Sequence, residues 1–141
     1  MKQEYVDWFL KASENTQAYY NLSDRRYSYI NLYKTKVPFH NELEEYIFSL
    51  HSFNDTYYEQ YHVHTWNVGD YFNEHIDSNF NRKWAYVCEL KPSDCNTSLL
   101  VEGKEFKEGV FDSFTKHNLP PIKKGTRISL TVFGSAIKTL V

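Results

Sequence analysis

Residues 127–133 read Arg-Ile-Ser-Leu-Thr-Val-Phe, and this alternation of polar and apolar side chains predicts a β-strand. Because alternate residues of a strand point to the same face, Arg127, Ser129 and Thr131 share one face. If that face points into a barrel-like interior, the guanidinium is strongly destabilising without a partner. A bound dicarboxylate would meet that need, since a guanidinium pairs with a carboxylate through two parallel hydrogen bonds. The alternative is an edge strand whose polar face lies in water.

Two histidines and one aspartate lie upstream of this strand. His117 comes ten residues before Arg127, and a His-Ile-Asp motif occupies residues 75–77. A His-x-Asp pair at the end of a strand places both side chains on one face, and the apolar segment 110–114 would bring His117 across to them. Two imidazoles and one carboxylate are the set that binds Fe(II) on one face and leaves other positions open. A lone His is usually an ordinary hydrogen-bonded residue, so only the combination predicts a metal site.

Composition limits the class of protein. The 141 residues predict a single domain over 1–141, and 16 basic against 18 acidic side chains give a formal net charge of −2. These charges are interspersed, which disfavours nucleic-acid binding by bulk charge. A local basic groove is the weaker alternative to solvated surface charge, and its candidates are Arg25, Arg26, Lys34, Lys36, Lys123 and Lys124.

The compartment is predicted from the cysteines and from hydropathy. Cys88 and Cys95 are the only cysteines, and their spacing resembles neither a disulfide framework nor a zinc site. We therefore expect free thiols in a reducing compartment. The N-terminal residues lack the apolar segment of a signal peptide, and no window approaches a membrane span. The prediction is a soluble, cytoplasmic protein with no membrane partner.

Periodicity predicts the order of the elements. Apolar residues at helical spacing indicate helices from Glu4 to about Ala18 and from Asn41 to Leu50, with a strand at Arg26 to Tyr33 between them. After residue 55 the period changes to that of strands, which are predicted at 57–68, 84–90, 98–101, 110–114 and 127–133. Two helices followed by many short strands indicate an α+β protein built on a β-sandwich. Residues 1–55 would then supply supporting helices and a first strand, and residues 56–141 the core.

Three stretches together resemble a known family. They are residues 66–77 (Trp-Asn-Val-Gly-Asp-Tyr-Phe-Asn-Glu-His-Ile-Asp), 82–90 (Arg-Lys-Trp-Ala-Tyr-Val-Cys-Glu-Leu) and 117–130 (His-Asn-Leu-Pro-Pro-Ile-Lys-Lys-Gly-Thr-Arg-Ile-Ser-Leu). In order and spacing they are similar to the core of the Fe(II)/2-oxoglutarate-dependent dioxygenases, specifically the prolyl-4-hydroxylase-like branch. The resemblance covers roughly residues 57 to 135. It implies a double-stranded β-helix, or jelly roll, and a hydroxylase that uses Fe(II), 2-oxoglutarate and O2, with ascorbate as a further candidate.

The resemblance also implies roles for individual residues. His75, Asp77 and His117 would bind iron, and Arg127 would pair with the distal carboxylate of 2-oxoglutarate, helped by Ser129 or Thr131. Two positions depart from the family pattern. Trp66 stands where many relatives carry a Tyr, so it can offer the co-substrate only its indole N–H. Glu89 falls near another Tyr position, where a carboxylate would repel 2-oxoglutarate unless it points away or is neutralised.

The substrate is predicted less sharply, because one scaffold hosts many chemistries. A prolyl or other residue of a peptide or protein is the first expectation, and a small molecule is the alternative. His64 and Arg82 are the candidate substrate contacts, although a surface ion pair is the more ordinary role for Arg82. His62 and His64 as additional metal ligands are disfavoured.

Three other functions compete with this prediction. One is a binding module, or a degenerate oxygenase, that keeps the jelly roll without the chemistry. Another is a cupin-like metalloenzyme that uses the same three ligands without 2-oxoglutarate. Nucleic-acid binding is the weakest of the three.

Overall fold

The computed structural model describes residues 1–15, 18–51, 57–77 and 82–135, and for residues 57–59 it describes the backbone only. The helices in these ranges are α1 (Gln3–Ala12) and α2 (His40–Phe48), and a short 3₁₀ turn spans Lys34–Lys36. The strands are β1 (Ala18–Asn21), β2 (Arg25–Tyr33), β3 (Tyr57–Trp66), β4 (Tyr71–His75), β5 (Arg82–Lys91), β6 (Leu99–Val101), β7 (Lys104–Phe106), β8 (Glu108–Asp112), β9 (His117–Leu119) and β10 (Arg127–Ser135). Neither helix is long or apolar enough to cross a bilayer.

The strands form one strongly curved antiparallel sheet. Its order is β7-β6-β9-β4-β2-β3-β10-β5-β8, and β1 pairs with β2 outside this path. The strands at the two ends of the order, β7 and β8, follow each other in the chain with only Lys107 between them. The backbone N–H of Glu89, in β5, donates to the carbonyl of Lys107 at 2.8 Å. The sheet therefore curls into a nearly closed barrel, which confirms the predicted jelly roll.

Alternation along the central strands divides the hydrophobic core into two clusters. In β10, Leu130 and Val132 face an outer cluster, whereas Arg127, Ser129 and Thr131 line the barrel interior. Residues on both faces of β10 are buried, and the strand lies between β3 and β5 rather than at an edge of the sheet. The edge-strand alternative for residues 127–133 is therefore wrong.

The two helices cover the outer cluster. Phe9 of α1 and Leu43 and Ile47 of α2 are fully buried there against sheet residues such as Val63 and Trp84. Burying an aliphatic or aromatic side chain of this size contributes about 1.5–3 kcal/mol, so the helices stabilise the outer face of the barrel. The prediction that α1 packs on a sheet is confirmed.

The helix boundary and several short strands differ from the sequence-based expectation. The predicted first helix ends at Ala12 rather than near Ala18, because Ala18–Asn21 pairs with β2 as β1. Periodicity also did not delimit β4, which the His-x-Asp motif only implied, and it missed β7 and β9; these strands have three to five residues each. Strands this short show little periodicity and depend on their neighbours for hydrogen bonds.

A tight turn after β3 carries the chain to β4. The carboxylate of Asp70 accepts the backbone N–H of Asn67 at 2.8 Å and lies 3.0 Å from Nε of Arg26. Gly69 adopts φ +88°, a conformation that favours glycine, and its N–H donates to the carbonyl of Ile122. This turn fixes where β4 begins and hence where His75, at its end, is placed.

Candidate metal centre

Pairing between β4 and β9 brings the two histidines together. His75 and His117 are directly opposite each other in this antiparallel pair, and their ring centroids lie 4.1 Å apart. Asp77 follows β4, and its backbone N–H donates to the carbonyl of Ser113 at 2.9 Å. Its carboxylate lies 3.6 Å from Nε2 of His75 and 3.1 Å from Nε2 of His117. One ligand atom from each of the three residues lies within 4.8 Å of the others.

The backbone orients both imidazoles toward this point. Nδ1 of His75 lies 2.7 Å from the carbonyl oxygen of Asn73, and Nδ1 of His117 lies 2.9 Å from that of Thr115. A carbonyl only accepts, so each Nδ1 carries the proton and donates it. The Nδ1 hydrogen bond holds each ring in place with Nε2 directed at the cluster, and in the neutral form of each ring the Nε2 lone pair can bind a metal. The donor set fits Fe(II).

The three groups shift each other's proton affinities. Burial lowers the pKa of His75, and the neighbouring His117 lowers it further. Burial also acts to lower the pKa of His117, but the hydrogen bond and charge of Asp77 outweigh it and raise that pKa. Burial acts to raise the pKa of Asp77, yet the histidines bring it below its usual value. The carboxylate therefore stays ionised as an anionic ligand.

The guanidinium of Arg127 forms a polar end of the same cavity. Its side chain is 2 % exposed, and Nε donates to Oε2 of Glu89 at 3.1 Å. The other carboxylate oxygen of Glu89 lies 3.7 Å from Nζ of Lys107. Nη2 of Arg127 is buried and has no hydrogen-bond partner in the described part of the chain. A buried donor without an acceptor is costly, so this end fits the carboxylate of a ligand.

Trp66, Ser129 and Thr131 surround this polar end. The indole N–H of Trp66 donates to Oγ of Ser129 at 3.1 Å, and all three residues line the cavity. The indole N–H of Trp66 therefore has a partner within the protein, the hydroxyl of Ser129. From the sequence, we expect Glu89 to repel 2-oxoglutarate unless it points away or is neutralised. Arg127 supplies the positive charge that neutralises it.

The cavity has a volume of about 390 Å³, in the range of small-molecule sites. On the β2 side it is lined by the aromatic rings of Tyr27 and Tyr29. These residues share one face of β2, while Ile30 points to the outer cluster. Sequence analysis missed them as cavity residues, although the alternation of residues 26–33 could have grouped them.

The candidate substrate contacts also lie in this cavity. His64 packs among rings that include Tyr27 and Trp66, and burial holds its pKa well below the usual value, so it is neutral. The guanidinium carbon of Arg82 lies 3.6 Å from the ring centroid of Phe133, and both residues line the cavity. Arg82 therefore occupies the cavity and not an open surface. His62 and His64 stand outside the group formed by His75, Asp77 and His117.

No protein-family model matches the chain, and no curated protein matches it in sequence. Solved structures do match. The viral collagen prolyl hydroxylase of Paramecium bursaria Chlorella virus-1, solved as its 2OG complex, superposes with a TM-score of 0.72 at 14 % identity, covering 97 % of this chain and 92 % of that chain. A Pseudomonas putida prolyl-4-hydroxylase gives a TM-score of 0.67 at 15 % identity, covering 98 % and 89 %.

A 2OG-Fe(II) oxygenase family member from Burkholderia pseudomallei gives a TM-score of 0.69 at 9 % identity, covering 94 % of this chain and 79 % of that chain. These identities are low, so the likeness concerns the arrangement of the backbone. The chain therefore has the double-stranded β-helix fold shared by prolyl hydroxylases and 2OG-Fe(II) oxygenases.

Proposed function

We propose that this protein is an Fe(II)- and 2-oxoglutarate-dependent dioxygenase that hydroxylates a C–H bond, most directly that of a prolyl or other residue in a peptide or protein. One observation carries the proposal. A cluster of two histidines and one aspartate shares a cavity with a buried guanidinium whose Nη2 has no partner in the described part of the chain. A metal and a carboxylate-bearing co-substrate would satisfy both ends of this cavity at once.

Each residue has a defined task in this proposal. His75, Asp77 and His117 hold the metal on one face, and the carbonyls of Asn73 and Thr115 keep both Nε2 atoms directed at it. Arg127 binds the distal carboxylate of 2-oxoglutarate, with the hydroxyls of Ser129 and Thr131 on the same strand face. Bound Fe(II) would supply the oxidising chemistry, with O2 as the oxidant and 2-oxoglutarate as the co-substrate that is converted to succinate and CO2.

Apolar side chains pack around the candidate metal ligands in the cavity. Phe72 stacks on the ring of His75 with centroids 3.5 Å apart, and Phe111 packs against His117 at 4.8 Å. Leu119 is 2 % exposed and lines the same space. These side chains reduce the contact of His75 and His117 with water, which strengthens electrostatic interactions inside the site.

A peptide substrate is the finer part of the proposal. Two of the structural neighbours are described as prolyl hydroxylases. In this chain, the tyrosine rings of β2 and the guanidinium of Arg82 lie in the same cavity as the metal ligands and could contact a substrate. We therefore propose that His64 and Arg82 contact this substrate. Four points stay predictions: a small molecule as the alternative substrate, a need for ascorbate, the cytoplasmic location, and the division of the domain at residue 55 into a supporting part and a core.

Anaerobic titration tests the co-substrate chemistry. Fe(II) with 2-oxoglutarate should produce the visible charge-transfer band of a metal-bound 2-oxo acid, and O2 should then yield succinate. Asp77→Ala removes the anionic ligand and should abolish the band, while an exposed carboxylate such as Glu105→Gln should leave it unchanged. A wild-type protein without the band would refute the proposal.

The degenerate binding module remains the second candidate, because Glu89 already occupies one donor of Arg127. Such a module would bind metal and show no band with 2-oxoglutarate. A cupin-like enzyme would turn over with Arg127 replaced. For the substrate, proline-containing peptides and matched alanine peptides should be compared by mass for the gain of one oxygen atom.

A further inference from the structure

We propose that Glu89 is a resident counter-ion of Arg127 that stabilises the ligand-free protein and lowers the affinity of the site for 2-oxoglutarate. This inference rests on the proposed function, because it assumes that Arg127 receives the distal carboxylate of that co-substrate. It assigns to Glu89 the role of setting how tightly the co-substrate binds.

The first step concerns burial. Glu89 and Arg127 have side chains only 7 % and 2 % exposed, and they lie on the neighbouring strands β5 and β10. Glu89 faces the barrel interior, next to Val87 on the same face of β5, which also lines the cavity. An unpaired guanidinium at such a position would strongly destabilise the fold. The carboxylate of Glu89 offsets that cost before any ligand arrives.

The second step concerns which donors remain. Glu89 accepts from Nε of Arg127, the atom nearest the strand, and leaves Nη2 buried and without a partner in the described residues. The guanidinium is planar, so a hydrogen bond at Nε fixes the direction of its outer nitrogens. Arg127 is therefore held in place by Glu89 and retains a donor for a ligand.

The third step concerns charge. The buried pair of Glu89 and Arg127 has no net charge, and an additional cation, Lys107, is 61 % exposed and 3.7 Å from the far oxygen of Glu89. A carboxylate that binds Nη2 consequently meets donors whose charge is already neutralised by another carboxylate. Like charges on two sides of one guanidinium repel each other, which weakens binding of the ligand. The Tyr that some relatives carry near this position would exert no such repulsion.

The test uses Glu89→Gln, which keeps an oxygen that accepts from Nε of Arg127 and removes the negative charge. Two quantities are measured on the full chain: the melting temperature without ligand, and the Kd of 2-oxoglutarate from the charge-transfer band with Fe(II) under argon. We expect the ligand-free melting temperature to fall and the Kd to decrease about tenfold, because the repulsion is gone while the donor remains. A merely structural role would weaken binding as it destabilises the protein, so tighter binding distinguishes the two.

A second variant moves the affinity in the opposite direction. Lys107→Met removes the cation beside Glu89 and should raise the Kd about two- to threefold, a small effect because Lys107 is exposed. Glu105→Gln, an exposed carboxylate on β7, is the matched control and should change neither quantity.

The outcomes separate this inference from the proposed function. No band in the wild type would refute both. A band with an unchanged or larger Kd in Glu89→Gln would refute the role of Glu89 alone. If Glu89→Gln does not fold, an unchanged or smaller Kd in Lys107→Met would overturn the inference.

Discussion

Replacing Arg127 by Met should separate its role in binding from its role in stability. The single variant Arg127→Met leaves Glu89 buried, with only the exposed Lys107 at 3.7 Å to neutralise it. Breaking a buried pair by removing one partner costs about 3–5 kcal/mol, so the variant should unfold at a much lower urea concentration than the wild type. Loss of co-substrate affinity in that variant alone would therefore be hard to interpret.

The double variant Arg127→Met/Glu89→Gln removes both charges and should recover most of the lost stability. It still lacks the guanidinium, and a hydrogen bond to a charged group contributes about 1.5–3 kcal/mol. Relative to the single variant Glu89→Gln, the Kd of 2-oxoglutarate should then rise about 10- to 150-fold, since each 1.4 kcal/mol is about a factor of ten. Urea unfolding checks the stability, and the anaerobic charge-transfer titration checks the affinity.

One result would contradict this reasoning directly. If the double variant folds with near wild-type stability and binds 2-oxoglutarate with the same Kd as Glu89→Gln, Arg127 does not contact the co-substrate. The proposed orientation of 2-oxoglutarate in the cavity would then be wrong, even if the metal site is correct.

Three further predictions concern other parts of the molecule. A Cβ at Gly134 would lie 2.1 Å from the buried ring of Trp84, so Gly134→Ala should destabilise the fold by about 1–3 kcal/mol, and an unchanged urea midpoint would contradict this. Hydrogen bonds from neighbouring hydroxyls lower the pKa of the exposed Cys95 to about 6, so iodoacetamide should alkylate it at pH 7 with a rate that halves near pH 6. Cys88 is buried, which raises its pKa to about 11, so it should react only after unfolding. Burial lowers the pKa of His62 to about 4. The unfolded chain therefore binds more protons than the folded one between about pH 6.5 and 4, so the free energy of unfolding falls as pH falls through that window. The loss attributable to His62 by pH 4.5 should be about 2 kcal/mol, and a His62→Asn variant with the same pH dependence of unfolding as the wild type would refute it.

Much of the fold could be predicted, because periodicity is strong where a strand has two distinct faces. Residues 127–133 alternate between the outer cluster and the cavity, and the structure places them as the alternation predicts. The C-terminal end of α1 could not be predicted this way. Residues 18–21 form a strand because β2 offers them a partner, and the local spacing of apolar residues does not report that partner.

For the candidate site, residue types and their spacing identified the metal-binding residues, but the sequence did not show how the backbone orients them. His75, Asp77 and His117 were grouped by their chemistry, and the structure does bring them together. The sequence could not show that the carbonyls of Asn73 and Thr115 orient the rings, because that depends on backbone conformation. It raised the charge of Glu89 as a problem, but the pairing with Arg127 that neutralises it required the register of β5 against β10.

The direct opposition of His75 and His117 has a consequence for assembly of the barrel. β9 has three residues, so few hydrogen bonds decide how it aligns with β4. A slip of one residue would turn an imidazole to the other side of the sheet, where no cation could join the two rings. An ion that binds only the correct alignment would act as a cross-link between these segments and select it by mass action. Loading with metal should accordingly slow amide hydrogen exchange in β4 and β9 more than in β3 or β10.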